Sequence, residues 1–140
     1  MSEGNLYNPA TRWSERQRQD QEDSEEAIFF TTLRQQGMSA EQITFRLKNG
    51  ICHTLPLAEI TEIYYEAAAG IVLFFRMGFV WIQGRNLDKL HQHLQARKVT
   101  EIREFSPGGS VFFDKEALFV SGIRYESENL QRLELITAGA

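Results

Sequence analysis

The residues in this sequence best suited to chemistry are one cysteine and three histidines. Cys52 and His53 are adjacent, and His91 and His93 are two positions apart. Zinc sites usually have paired ligands at close, repeated spacing, whereas residues two apart on a helix point about 200° away from each other around its axis. Adjacent residues on a strand point to opposite faces, so Cys52 and His53 do not form a nucleophile–base pair. We therefore predict no metal site, no cofactor and no enzyme.

Two arginines and an asparagine could instead bind an anion. The sequence places Arg76 at the end of a strand, and Arg85 and Asn86 at the start of a helix. The free backbone N–H groups of a helix N-terminus attract an anion, and a guanidinium adds a bidentate contact. We take these three as candidate binding residues on one polar rim, with Arg85 foremost. The simpler interpretation, which we prefer, is that Asn86 only caps the helix and that Arg85 is an ordinary surface cation.

Residues 33–47 also have the spacing of a helix-turn-helix motif, which reads DNA with the N-terminal side chains of its second helix. Gly37 would supply the turn, and Ile43 and Leu47 would pack the second helix inward. Phe45 would then be exposed on the recognition helix, which argues against the motif. The side chains that would face DNA are Ser39, Glu41, Gln42 and Arg46. A DNA-binding regulator is therefore the alternative function.

Charge is distributed unevenly along the chain. Residues 1–26 hold seven of the 19 acidic residues and three of the 15 basic ones, so this segment carries the whole net charge of −4 and the remainder is neutral. Residues 27–140, being neutral overall, lack the basic surface expected of a non-specific nucleic-acid binder. Residues 1–23 are polar and without apolar periodicity, and we predict that they are disordered. Trp13 stands out there as a candidate anchor for a partner, although a solvated tail is the simpler interpretation.

Length and composition limit the classes of protein to which this chain can belong. A chain of 140 residues, 42% of them apolar, suits one domain with one core. The lone cysteine has no partner for an internal disulfide, and no signal peptide is recognisable. The longest apolar run, over residues 71–75, is far shorter than the ~20 residues that span a bilayer. We expect a soluble, cytoplasmic protein without a membrane span.

The first predicted element of the domain is a helix. Residues 23–26 resemble a capping box, and Gly37 is a natural stop for a helix that begins at residue 23 or 24. Residues 28–33 also have strand propensity. The helix is the preferred interpretation of this segment.

From Ile43 the apolar period changes to two, which indicates strands. Residues 48–50 then predict a three-residue hairpin loop with Gly50 in the left-handed conformation. This loop would set Phe45 opposite His53 and keep the apolar side chains on one face. A two-residue turn would mix the two faces, so we prefer the longer loop.

The second half of the chain predicts strands on either side of a helix. Residues 60–66 and 79–82 are predicted strands, and the wholly apolar run 71–75 between them predicts a strand buried on both faces. Asn86 is a good N-cap for a helix over residues 86–98. The remaining predicted elements are strands over residues 99–105 and 117–125, with a bulge at Gly122, and a short helix over residues 126–137.

Together these elements predict an α+β fold, with a single domain over residues 24–140 built on a mostly antiparallel sheet packed by one or two helices. Short connections between the strands favour antiparallel pairing, since a parallel pair needs a long crossover. Central hairpins followed by a packing helix resemble small bacterial sheet domains of the pleckstrin-homology-like type. This resemblance lies in element order alone and implies no function.

The function that the sequence favours is a non-catalytic binding or protein-interaction module. Tyr64–Tyr65 and Phe112–Phe113 are more aromatic than a solvated face requires, although either pair could close the core. Small sheet domains commonly pair through an edge strand or a helix face. We expect an unidentified protein partner, with a homodimer as one form of association, and no nucleic acid.

Overall fold

Eight strands and two α-helices are bounded within the residues that the structure, a computed structural model, describes, namely 28–34, 37–107 and 115–138. The strands are β1 (Phe30–Thr32), β2 (Gln42–Arg46), β3 (Cys52–Pro56), β4 (Ile60–Glu66), β5 (Gly70–Phe75), β6 (Gly78–Arg85), β7 (Val99–Arg103) and β8 (Phe119–Ser127). The helices are α1 (Asp88–Gln95) and α2 (Glu128–Ala138), and a short 3-10 helix (Leu57–Glu59) joins β3 to β4. The predicted head over residues 1–23 with Trp13, and the pair Phe112–Phe113, lie outside the described residues.

The strands are divided between two four-stranded sheets. Sheet I has the strand order β1-β7-β2-β3, and sheet II has the order β4-β5-β6-β8. Neighbouring strands are antiparallel except β2 and β7, which are parallel. The long crossover that this parallel pair requires is supplied by the chain through β4, β5, β6 and α1. The predicted α+β class with mostly antiparallel pairing is therefore confirmed, while the resemblance to pleckstrin-homology-like domains stays a prediction.

A single hydrophobic core joins the two sheets to α1. Its fully buried members include Ile43, Phe45, Ile71, Leu73, Val80, Ile82, Leu90, Ile102 and Val120. Helix α1 contacts both sheets, because His91 stacks on Tyr65 of β4 with 4.6 Å between ring centroids, and His93 lies 5.6 Å from the Phe30 ring of β1. Burying an apolar side chain of this size contributes roughly 1.5–3 kcal/mol, so this shared core is the main force that holds the sheets together.

The hairpin from β2 to β3 has the predicted three-residue loop. Phe45 pairs with His53 in register, and Gly50 has a φ of 90°, in the left-handed region that glycine enters without a steric penalty. Gln42–Arg46 is therefore a strand, although the helix-turn-helix interpretation required a recognition helix there. That interpretation is wrong, because the period-two pattern buries alternate side chains against sheet II.

The predicted helix before Gly37 is wrong over its last turns. Residues 28 and 29 are helical, but Phe30–Thr32 is a strand that pairs with β7. The Phe30 side chain is buried by this pairing. Gly37 has the expected positive φ, 81°, without ending a described helix. A strand distant in sequence thus outweighed the local helix signal, as is usual where packing decides between the two.

The apolar run over residues 71–75 is buried on one face only. Ile71, Leu73 and Phe75 face the core, whereas Val72 is half-buried and Phe74 is 38% exposed. The prediction of burial on both faces is wrong, because no described element covers the outer face of sheet II at Phe74.

The predicted elements of the last third of the chain are confirmed. Strand β8 pairs with β6 and contains a bulge at Ser121, one residue from the predicted position Gly122. Helix α2 follows β8 directly. Ser127 caps it, since its hydroxyl oxygen accepts the Leu130 N–H at 3.2 Å.

Candidate interaction surface

The structure separates two of the predicted binding residues. Arg76 lies in the turn between β5 and β6, and Arg85 is the last residue of β6. A strand rises about 3.3 Å per residue, so these arginines are on the order of 25 Å apart and do not share a rim. The Arg85 guanidinium lies over the Phe119 ring, 4.9 Å from its centroid, in a cation–π contact. Arg76 therefore does not share a rim with Arg85 and Asn86, and anion binding by Arg85 stays a prediction.

Asn86 has a structural role that the sequence analysis did not anticipate. Its φ is 54°, and its Nδ2 donates to the backbone carbonyls of Lys115 and Ala117, each at 2.9 Å. Helix α1 begins after Leu87, which occupies the N-cap position without a side-chain cap. Asn86 is thus not the N-cap; it ties the turn before α1 to the segment before β8.

The outer face of sheet II carries aromatic side chains where solvated ones are expected. Tyr64, Val72 and Trp81 lie in one row across β4, β5 and β6, and Phe74 and Phe79 are paired in the next row. Tyr64 is 44% and Phe74 is 38% exposed, and the other three are half-buried. We name these five residues the aromatic face. A contiguous exposed apolar patch on a globular domain commonly marks an interaction site.

Two hydrogen bonds fix the orientation of rings on the aromatic face. The Tyr64 hydroxyl donates to Glu66 Oε2 at 2.6 Å, and Trp81 Nε1 donates to the Ala69 carbonyl at 2.7 Å. The hydrogen bond to the Glu66 carboxylate raises the pKa of Tyr64, so the phenol stays a neutral donor. Side chains held in place before binding lose less entropy when a partner arrives.

Charged residues border the aromatic face and are mostly acidic. Glu62 and Glu126 lie at the two ends of the row that contains Phe74, and Glu66 lies beyond Tyr64 on β4. Two arginines lie near this border: Arg124, whose Nε is 3.1 Å from Glu126 Oε1, and Arg76 in the turn after β5. Among the described residues, three carboxylates against two guanidiniums leave one excess negative charge, which favours a cationic partner over a phosphate backbone.

The outer face of sheet I differs from the aromatic face of sheet II. Its outer face has a row of Thr31, Glu101, Thr44 and Thr54 across its four strands. The Thr44 and Thr54 hydroxyls are 2.9 Å apart and hydrogen-bonded. Such polar residues are typical of a sheet face in water. The aromatic composition of the other face is therefore specific to sheet II.

The sequence analysis found only Tyr64 of the aromatic face. The signal for the rest was the pair of adjacent runs, residues 71–75 and 79–82, in which every position is apolar. These runs indicate that both faces of the two strands are apolar, but whether the outer face is covered is decided by the tertiary structure.

A groove of about 460 Å³ with a basic border lies at one end of sheet I. Arg46 and Arg103 are partners in register on the parallel strands β2 and β7, and both bind Glu101. Partial burial works against the charged form of Glu101, but the hydrogen bonds and charges of Arg103 and Arg46 outweigh it and lower the pKa of this carboxyl group. We name this cavity the sheet I groove.

His53 is part of the core contact between the sheets. Its ring stacks on Tyr125 of β8 with 3.9 Å between centroids and an interplanar angle of 1°, and Phe75 stacks on the same tyrosine. Burial lowers the pKa of His53 and raises the pKa of Tyr125. Both groups are therefore neutral at pH 7 and serve packing. The neighbouring Cys52 is exposed.

The part of the chain that the structure describes has neither a metal-ligand cluster nor a membrane-spanning helix. No three His, Cys, Asp or Glu side chains in it come together as a metal site would require. None of its helices combines the length and apolar composition needed to cross a bilayer.

Comparison of the chain with protein-family models, with curated proteins and with solved structures finds no match. The functional evidence for this protein is therefore its own geometry, and within the described residues that evidence is concentrated on the aromatic face and the sheet I groove.

Proposed function

We propose that this protein is a non-catalytic interaction module that binds a polypeptide partner on the aromatic face of sheet II. The observation that carries the proposal is the exposure of Tyr64 and Phe74 on an outer sheet face, beside Phe79 and Trp81. Tyrosine, tryptophan and phenylalanine are enriched in protein interfaces, and tyrosine and tryptophan are frequent among the few residues that dominate the binding energy. The outer face of sheet I has no comparable residues in its central row.

The border of the aromatic face indicates the chemistry of the partner. Glu62, Glu66 and Glu126 favour a segment in which lysine or arginine flanks apolar side chains. Strand β4 is an edge of sheet II, so an extended segment could also pair with its backbone. Sheets that stack RNA bases combine aromatic side chains with cationic surroundings, and the acidic border here is the opposite.

The alternative function, a DNA-binding regulator, loses its structural basis. A DNA-binding regulator rested on a second helix over residues 39–47, and Gln42–Arg46 is a strand in sheet I. The cytoplasm stays the expected setting of this protein, as in the sequence analysis.

Selection of random displayed peptides on the full-length protein tests the proposal. We expect the selected peptides to contain aromatic and basic residues. Their affinity should fall at least about tenfold for the double variant Tyr64→Ser/Phe74→Ser, since interface anchors commonly contribute this much. The matched control is Thr44→Ala/Thr54→Ala on the outer face of sheet I, which should bind normally.

Two further measurements complete this test. Circular dichroism should show that both double variants are folded, because the substituted side chains lie on outer faces. Sedimentation of the free protein shows whether a second copy is the partner, in which case Phe74→Ser would abolish self-association. Peptides that bind the aromatic-face variant as tightly as the wild type would contradict the proposal.

A further inference from the structure

We infer that the sheet I groove binds a small amphiphilic carboxylate, that is, an anionic head group joined to a short hydrocarbon tail. This site is separate from the aromatic face: it lies on sheet I and involves the ends of β2 and β7. The inference therefore stands or falls independently of the proposed peptide-binding function.

The apolar part of the groove accounts for the tail. Ile28, Leu47 and Phe105 line it, with Ile28 41% exposed and the other two half-buried. The volume of about 460 Å³ lies within the ~300–1,000 Å³ that small-molecule sites usually have. Such a site is mostly apolar and contains a few polar groups that orient the ligand.

The cationic part of the groove accounts for the head group. Arg46, Lys48 and Arg103 line it, against two carboxylates, Glu101 and Glu104. Glu101 is shared by the two arginines. Among the described residues, three cations against two carboxylates leave one excess positive charge, which matches a monoanion.

Both oxygens of Glu104 accept backbone N–H groups, and Glu104 forms no ion pair with the Lys48 ammonium. Its Oε1 accepts the Lys48 backbone N–H at 2.8 Å, and its Oε2 accepts the Ile123 N–H at 2.7 Å. The Lys48 ammonium has no ion-pair partner among residues 28–34, 37–107 and 115–138. Arg46 makes one hydrogen bond, to Glu101, within the same residues, and a guanidinium has five N–H donors. Both side chains can therefore donate to a carboxylate in the groove.

Titration of the ¹⁵N-labelled full-length protein with sodium octanoate tests this inference. We expect saturable shifts of the backbone amides at residues 46–50 and 103–106, which border the groove. Acetate has the head group without the tail, and octyl glucoside has the tail without the charge. Both should bind much more weakly at the same concentration, because each lacks one half of the recognition.

Single substitutions then test the role of the cations. Lys48→Gln, in the exposed hairpin loop, should weaken octanoate binding roughly tenfold, as should Arg46→Gln, since each removes a charged donor. Arg124→Gln, an exposed arginine on sheet II, is the matched control and should leave the affinity unchanged. Amide shifts that map to the aromatic face instead, equal binding of octyl glucoside, or an unchanged affinity of Lys48→Gln would overturn the inference.

Discussion

Asn86 combines a left-handed backbone conformation with two hydrogen bonds to the segment before β8. An alanine here loses both bonds and strains the positive φ, so we expect Asn86→Ala to lower the free energy of unfolding by about 2 kcal/mol. Asn86→Gly loses the bonds but tolerates the backbone, and about 1 kcal/mol is expected. Urea unfolding of both variants measures this. Equal losses would show that backbone strain does not contribute.

His53 makes stability depend on pH. Burial lowers its pKa in the folded protein below the ordinary value of about 6.5, so the unfolded chain takes up this proton first. The contribution of His53 to stability is complete above pH 6.5 and decreases as the pH falls through the interval between the two pKa values. His53→Phe keeps a ring against Tyr125 and has no proton to take up. Urea unfolding between pH 7 and pH 5 should therefore show a smaller loss of stability for this variant. Parallel losses in the two proteins would exclude the histidine as the cause.

At the scale of elements, strands β6 and β8 approach each other most closely where β6 has a glycine. A Cβ added at Gly84 would lie 1.9 Å from the Phe119 carbonyl oxygen, whereas one at Gly122 would meet its nearest neighbour, Gln83 Oε1, at 3.5 Å. Backbone atoms on a paired strand cannot move aside cheaply, so Gly84→Ala should destabilise the protein by about 2–3 kcal/mol. Gly122→Ala, on the partner strand, should change stability by less than about 0.5 kcal/mol. Thermal unfolding of the two variants distinguishes them, and similar midpoints would contradict the close approach.

At the scale of the whole molecule, Glu104 connects the two sheets. One carboxylate oxygen accepts the Lys48 N–H at the β2–β3 loop, and the other accepts the Ile123 N–H of β8. The next residue adds a backbone hydrogen bond between the same two parts of the fold, since the Phe105 N–H donates to the Val120 carbonyl at 3.0 Å. At Glu104 the two sheets are thus held together by hydrogen bonds as well as by the hydrophobic core.

Removing this carboxylate should loosen the connection without opening either sheet. Glu104→Ala leaves two backbone N–H groups without their acceptor, and hydrogen bonds to a charged group contribute about 1.5–3 kcal/mol, so a loss of about 2 kcal/mol is expected. Hydrogen exchange should accelerate at the amides of Lys48 and Ile123 more than at Leu73 in the centre of sheet II. Uniform acceleration across both sheets would indicate a general loss of stability instead.

Local patterns in the sequence determined several elements. The β2–β3 hairpin, α1, β8 and α2 were predicted because alternation, helical spacing and turn residues act over neighbouring positions. Gly50 is the clearest case, since the left-handed conformation it adopts sets the register of a whole strand pair.

Only the tertiary structure decided which partners and faces these elements would have. Phe30–Thr32 became a strand because β7 pairs with it from some seventy positions along the chain, and the parallel pairing of β2 with β7 has the same origin. Arg76 and Arg85 lie far apart because a full strand separates them. The aromatic face is exposed because burial depends on which layers stack together, and an apolar run has the same sequence whether it is covered or left for a partner.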